Sequence, residues 1–167
     1  RFSGSFNAVW GRDENFYEWS SANIAFVTVT LDWRPTEKLR LNTTYNLQQY
    51  NRRSDGSMVG QRRLPRLKLE YQATRAIFGR VIAEYDAQST DDLRDDSRTG
   101  KPIYILDSST ASNRLRVEAL FAWQPTPGTV FFAGYGSALR EDEAFRLRNV
   151  RRNADGFFMK FSYLFRM

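Results

Sequence analysis

The stretch Leu39-Arg40-Leu41-Asn42-Thr43-Thr44-Tyr45-Asn46-Leu47-Gln48 decides the fold. Leu39, Leu41, Thr43, Tyr45 and Leu47 take every second position. Arg40, Asn42, Thr44, Asn46 and Gln48 fill the gaps. A strand sends successive side chains to opposite faces, so these residues form a strand with one apolar and one polar face.

The same alternation recurs along the chain. Arg66–Ala73 sets Leu67, Leu69, Tyr71 and Ala73 against Arg66, Lys68, Glu70 and Gln72. Ile77–Ala87 sets Val81, Ala83 and Tyr85 against Arg80, Glu84 and Asp86. Asn113–Trp123 sets Leu115, Val117, Ala119, Phe121 and Trp123 against Arg114, Arg116 and Glu118. The final run sets Phe157, Met159, Phe161, Tyr163, Phe165 and Met167 against Lys160, Ser162 and Arg166. Phe2–Trp10 and Asn23–Trp33 carry weaker versions, and Thr129–Gly136 is apolar in both phases. The chain therefore reads as all-β, with eight strands in one domain over residues 1–167.

Three connections read as short: Arg34–Lys38, Thr74–Ala76 and Gln124–Gly128. Four read as long: Gly11–Ala22, Tyr50–Pro65, Gln88–Ser112 and Ser137–Asp155. Asp55-Gly56 and Asp155-Gly156 supply turn chemistry in the long ones. Two short turns repeat a motif, Trp33-Arg34-Pro35-Thr36 and Trp123-Gln124-Pro125-Thr126, with Trp at a strand end before a Pro that stops pairing.

Short turns at one end and long loops at the other are the layout of an antiparallel up-and-down transmembrane β-barrel. Strands of about 10 residues tilted near 40° cross about 25 Å, the height of the apolar band. Trp33, Trp123 and Phe165 are expected at the membrane interface on the short-turn side, and Trp10 and Tyr85 at the other interface, because their rings suit a half-wet depth. Leu41, Val117 and Phe161 are expected against lipid, and Asn42, Arg116 and Lys160 away from it. By strand parity the C-terminus and the Arg34–Lys38 turn face the periplasm, and Gln88–Ser112 faces outward. The expected location is a bacterial outer membrane. Partners are the lipid bilayer, lipopolysaccharide, the outer-membrane assembly machinery and upstream domains of the same protein. A soluble lipocalin-like barrel, its apolar face turned inward around an apolar ligand, is the competing reading.

Composition narrows the chemistry. The 167 residues include no Cys and no His, which removes disulfides, thiolate zinc sites, the Ser-His-Asp triad and any His base. No apolar run is long enough for a transmembrane helix. The net charge of +6 permits anion binding, but pairs such as Arg62-Arg63 and Arg151-Arg152 do not make a nucleic-acid tract. No enzyme activity, metal or cofactor is expected. Glu84 with Glu118 is the one carboxylate pairing that an enzyme would use.

Asp155-Gly156-Phe157-Phe158-Met159-Lys160-Phe161-Ser162-Tyr163-Leu164-Phe165-Arg166-Met167 closes the chain, after Thr129-Val130-Phe131-Phe132-Ala133-Gly134-Tyr135-Gly136 and the Trp-x-Pro-Thr turns. Together these resemble the C-terminal barrel region of bacterial outer-membrane proteins that carry an N-terminal carbohydrate-binding family-nine-like module and a barrel domain of unknown function. The resemblance implies further sequence upstream and a link to carbohydrate binding or uptake. Phe2 is already in phase with the alternation, so the eight strands are expected to be the C-terminal part of a larger barrel. A terminal Phe aids assembly in such proteins, whereas here Phe165 is followed by Arg166 and Met167.

The candidate site is the set of charges on the polar face: Arg40, Arg66, Lys68, Glu70, Arg80, Glu84, Asp86, Arg114, Arg116, Glu118, Lys160 and Arg166. Such a face would line an anion-preferring or polar passage. The simpler reading, a cross-strand ladder of ion pairs that neutralises a barrel interior, is preferred. Asp91-Asp92, Asp95-Asp96 and Glu141-Asp142-Glu143 lack the spacing and Gly of a calcium loop and read as solvated acidic loops.

Overall fold

The computed structural model describes residues 1–95, 101–102, 109–142, 145 and 148–164. Asp96, Glu143, Phe165, Arg166 and Met167 lie outside the described residues, as does the side chain of Asp95.

Eight strands form one antiparallel sheet: β1 (Phe2–Asn15), β2 (Ser20–Trp33), β3 (Leu39–Arg52), β4 (Met58–Gln72), β5 (Ile77–Thr90), β8 (Thr110–Thr126), β9 (Thr129–Glu141) and β10 (Arg151–Tyr163). Each pairs only with its neighbours in sequence, in the order β1-β2-β3-β4-β5-β8-β9-β10. Between β5 and β8 lies a two-stranded ribbon of two residues a strand, β6 (Arg94–Asp95) with β7 (Lys101–Pro102). β1 and β10 are both edges, so the sheet is not closed.

Direct partners share a face, and one row of them crosses the whole sheet: Phe2–Trp33–Leu41–Leu69–Val81–Ala119–Tyr135–Phe157. Every member except Ala119 is a large apolar or aromatic side chain. This row also fixes the phase of β9, which alternation alone left open: Phe131, Ala133 and Tyr135 lie on the apolar face and Phe132 and Gly134 on the other. The row starts at the first residue of β1 and reaches β10 six residues before its end. With about 3.3 Å per residue and about 4.8 Å per strand, that stagger corresponds to a lean of roughly 30°, close to the tilt of barrel strands.

The strands are longer than the alternation suggested, 13 to 17 residues in place of about 10. The expected long connections shrink accordingly. Gly11–Ala22 becomes a turn at 16–19, Tyr50–Pro65 a turn at 53–57, and Ser137–Asp155 a segment at 142–150. Only the β5–β8 connection, 91–109, stays long. The reason is that the backbone ladder needs no apolar side chains, so polar segments such as Arg12–Asn15 go on pairing after the alternation has stopped. Asp155-Gly156 is likewise no turn: both residues lie inside β10, where Asp155 accepts hydrogen bonds from Tyr135 (3.1 Å) and Ser137 (2.8 Å).

Two prolines show how the sheet tolerates them. Pro65 sits inside β4, paired with Tyr45 on β3, while the ladder towards β5 skips Leu64 and Pro65. A missing N–H is thereby absorbed by a gap in one ladder. Gln124-Pro125-Thr126 remains in β8 across a register shift, so the turn contracts to Pro127-Gly128, with Gly128 at φ 93°. Pro followed by a left-handed Gly is the pattern of a type II turn.

Packing is single-layered. Among the described residues the buried apolar residues are Ala22, Ile24, Val59 and Ala87. All but two of the exposed large apolar residues in strands share the face of Trp33 and Leu41; Val9 and Phe158 are the exceptions.

Candidate functional site: the polar face

On the face opposite Trp33 and Leu41, an ionic ladder runs diagonally from β2 to β5. Asp32 accepts from Arg40 Nη2 at 2.7 Å and Nε at 2.9 Å, and from Asn42. Arg40 reaches on to Glu70 at 3.8 Å, and Glu70 is held by Lys68 at 2.8 Å. Arg66 approaches Glu84 at 3.7 Å. Arg62 grips Asp86 with two parallel bonds of 2.8 Å. Strand register places these partners, since Arg40 stands opposite Glu70 and Arg66 opposite Glu84. Cross-strand pairs of opposite charge stabilise a sheet, and the forked Arg62–Asp86 geometry is the strongest kind.

The expected ladder is therefore present over β2–β5, and it includes two residues that alternation did not single out. Asp32 sits between Leu31 and Trp33, so its phase was legible. Arg62 fell inside the stretch read as a loop. Beyond β5 the ladder stops. Arg80, Arg114, Arg116, Glu118 and Lys160 share the polar face, but among the described residues none of them forms an ion pair. Glu84 and Glu118 do not form an isolated carboxylate pair, because Arg66 and Arg116 flank Glu84 while Glu118 stands opposite Ile82.

The interface aromatics divide. Trp33 and Trp123 lie at the short-turn end, half-exposed, and Phe2, Tyr71 and Tyr163 join them there. Trp10 is 77% exposed on β1. Tyr85 does not present its hydroxyl, whose oxygen is buried. Close by, Phe145 donates its backbone N–H to Asn113 and lies under the Arg63 guanidinium, 4.6 Å from the ring centre.

At the long-connection end the polar face is capped. Arg52 and Glu18 are fully buried side chains. The Arg52 guanidinium donates to both Glu18 oxygens, to Asp91, to Ser57 and to the carbonyls of Met58 and Asp92. Glu18 also accepts from the Arg94 backbone N–H at 2.8 Å. Three connections, at 16–19, 53–57 and 91–94, converge on this one ion pair. Beneath it Tyr17, Tyr50 and Phe26 stack edge to face. Asp91 is thus taken by arginine, its carboxyl held below the ordinary range chiefly by Arg52, and Asp92 accepts the Ser109 N–H.

The chain was compared with protein-family models, curated proteins and solved structures, and nothing matched.

Proposed function

We propose that the chain is a section of the wall of an outer-membrane β-barrel, with its apolar face towards lipid and its polar face towards a wet interior. One observation carries this reading: the large apolar side chains are gathered on one face of the sheet, and among the described residues no second layer covers them. On the polar face the carboxylates Asp32 and Glu70 lie beneath the arginine and lysine side chains that pair with them. Val81 and Phe121 on the apolar face are 42% and 43% exposed. Water would penalise a broad apolar face left uncovered on a single-layered sheet, and a bilayer supplies the missing layer. Alternation of apolar-out and polar-in is the pattern of such barrels.

Strands of about 14 residues at this tilt reach roughly 35–40 Å, so some 10 Å of sheet projects past the apolar band. That projecting part carries the Arg52–Glu18 cap and is placed on the outer side, with the short turns and the C-terminus in the periplasm. The open edges of β1 and β10 call for further strands, as in a larger barrel, because bare backbone groups in lipid cost several kcal/mol each. The role is that of a membrane anchor or passage for a larger surface or periplasmic protein, with lipopolysaccharide and the assembly machinery as partners. A link to carbohydrate uptake rests on the family resemblance alone.

The test is dilution of the urea-unfolded chain into buffer with and without phospholipid vesicles. Sheet circular dichroism only with lipid, in oligomers joined through the open edges of β1 and β10 and read by cross-linking, is the expected result. An equally folded, dispersed chain without lipid would overturn the reading in favour of a soluble barrel.

A further inference from the structure

The ladder on the polar face leaves a charge imbalance where it ends, and this inference rests on the wet-interior reading above. Glu84 and Asp86 on β5 are each flanked by two arginines. Glu84 has Arg66 on one side and Arg116 directly opposite on the other. Asp86 has Arg62, bound in the two-bond fork, and Arg114 directly opposite. Arg62 forks Asp86 and Arg66 stands 3.7 Å from Glu84, while Arg114 and Arg116 form no ion pair among the described residues, so four arginines face two carboxylates and positive charge is in excess. Arg80 adds to this excess: Glu70, opposite it, is held by Lys68 and Arg40. Among the described residues Glu118 is the one carboxylate along this stretch of β5 and β8 without an ion pair.

Arg114 and Arg116 are two residues apart on one face, about 6.6 Å along the strand. Guanidinium groups at that spacing present paired N–H forks to one oxyanion, and a fork matches phosphate or carboxylate oxygens two at a time. In open water such a strip would be screened. On the wall of a polar passage, with low-dielectric lipid behind the sheet, a one-signed patch concentrates its field and gathers counter-ions. We infer that Arg114 and Arg116, with Arg80 below them, form a binding strip for soluble oxyanions of the phosphate and carboxylate class on the interior wall, beside a paired ladder whose four cations and four carboxylates cancel.

Phenylglyoxal, an arginine-selective reagent, tests this on the chain incorporated into phosphatidylcholine vesicles. Modification is mapped by peptide mass with and without inorganic phosphate. Phosphate should slow modification of Arg114 and Arg116 several-fold and leave exposed Arg12 and Arg53 unchanged. In Arg114→Gln, protection of Arg116 should fall; in Arg116→Lys, protection of Arg114 should persist. Uniform protection, or none, would overturn the strip. Protection that appears without phosphate once anionic lipid is added would also overturn it, since a headgroup would then be the ligand. Vesicle flotation, read separately, reports whether the chain enters the membrane, so failure of that reading is distinguishable from failure of the strip.

Discussion

Arg52 Nη2 lies 2.6 Å from Glu18 Oε1, both side chains fully buried, at the point where three connections meet over the polar face. The two residues are 34 positions apart, and their pairing fixes the β1–β2 turn against the β3–β4 turn. Removing one partner of a buried ion pair strands the other and costs about 3–5 kcal/mol. Arg52→Ala should lose that much and loosen the backbone at 53–57 and 91–94, so that trypsin cuts faster after Arg53 and Arg94. Arg52→Lys should rescue little, because the site uses the planar fork towards Glu18, Asp91 and Ser57 together. Equal trypsin resistance of wild type and Arg52→Ala would contradict this.

Acid should loosen the same end. Two bonds from Ser57 (hydroxyl first, then backbone N–H), and next the Arg94 guanidinium, lower the Asp55 carboxyl to about 2. Arg52 lowers Asp91 in the same sense. A depressed acid stabilises the fold above its ordinary pKa, and that contribution is lost as pH falls through the folded value. Protection of 53–57 and 91–94 from hydrogen exchange, corrected for intrinsic rates, should therefore decline from about pH 4 towards 2. Asp55→Asn should flatten the profile at 53–57.

Gly134 has no room for a side chain, since the Phe158 ring from the neighbouring strand covers it. Aromatic cover of a strand glycine pins register. Gly134→Ala should displace Phe158 and weaken the docking of β10, seen as faster exchange at Phe157–Phe161. Pairing it with Phe158→Ala should return part of the loss, and a fully additive double variant would refute the contact.

Adjacent residues on β5 test the two faces. Val81 lies on the apolar row, and Ile82 on the polar face between Lys68 and Glu118. Arg at a lipid-facing midplane position costs about 2–4 kcal/mol. Val81→Arg should lose that much folding free energy in vesicles. Ile82→Arg, beside the unpaired Glu118, should lose far less. Similar losses would contradict the orientation.

Alternation made the faces legible almost residue by residue, because one polar set and one apolar set cannot trade places without a slip of register. Arg40, Lys68, Glu70 and Glu84 all lie where that parity put them. Strand ends were not legible. Arg12–Asn15 and Arg62 pair through the backbone beyond the membrane-length pattern, and nothing in their side chains signals it. The Arg52–Glu18 pair was hidden for a different reason. It joins Glu18 of the β1–β2 turn to Arg52 at the end of β3, and only the register of β1–β4 brings them together. Asp155-Gly156 misled because a turn dipeptide is also compatible with a strand when its neighbours, Tyr135 and Ser137, satisfy the Asp side chain.

A cysteine scan of β5 reads which face of the sheet meets lipid and which meets water. The chain has no cysteine of its own, so each variant carries a single probe site. Spin labels placed singly from Phe78 to Asp86, with the chain in vesicles, are read for collision with oxygen, which partitions into lipid, and with a water-soluble paramagnetic complex. Strict alternation is expected: Gly79, Val81, Ala83 and Tyr85 favour oxygen, and Phe78, Arg80, Ile82, Glu84 and Asp86 favour the aqueous complex. The opposite phase, or water access to both faces alike, would contradict it.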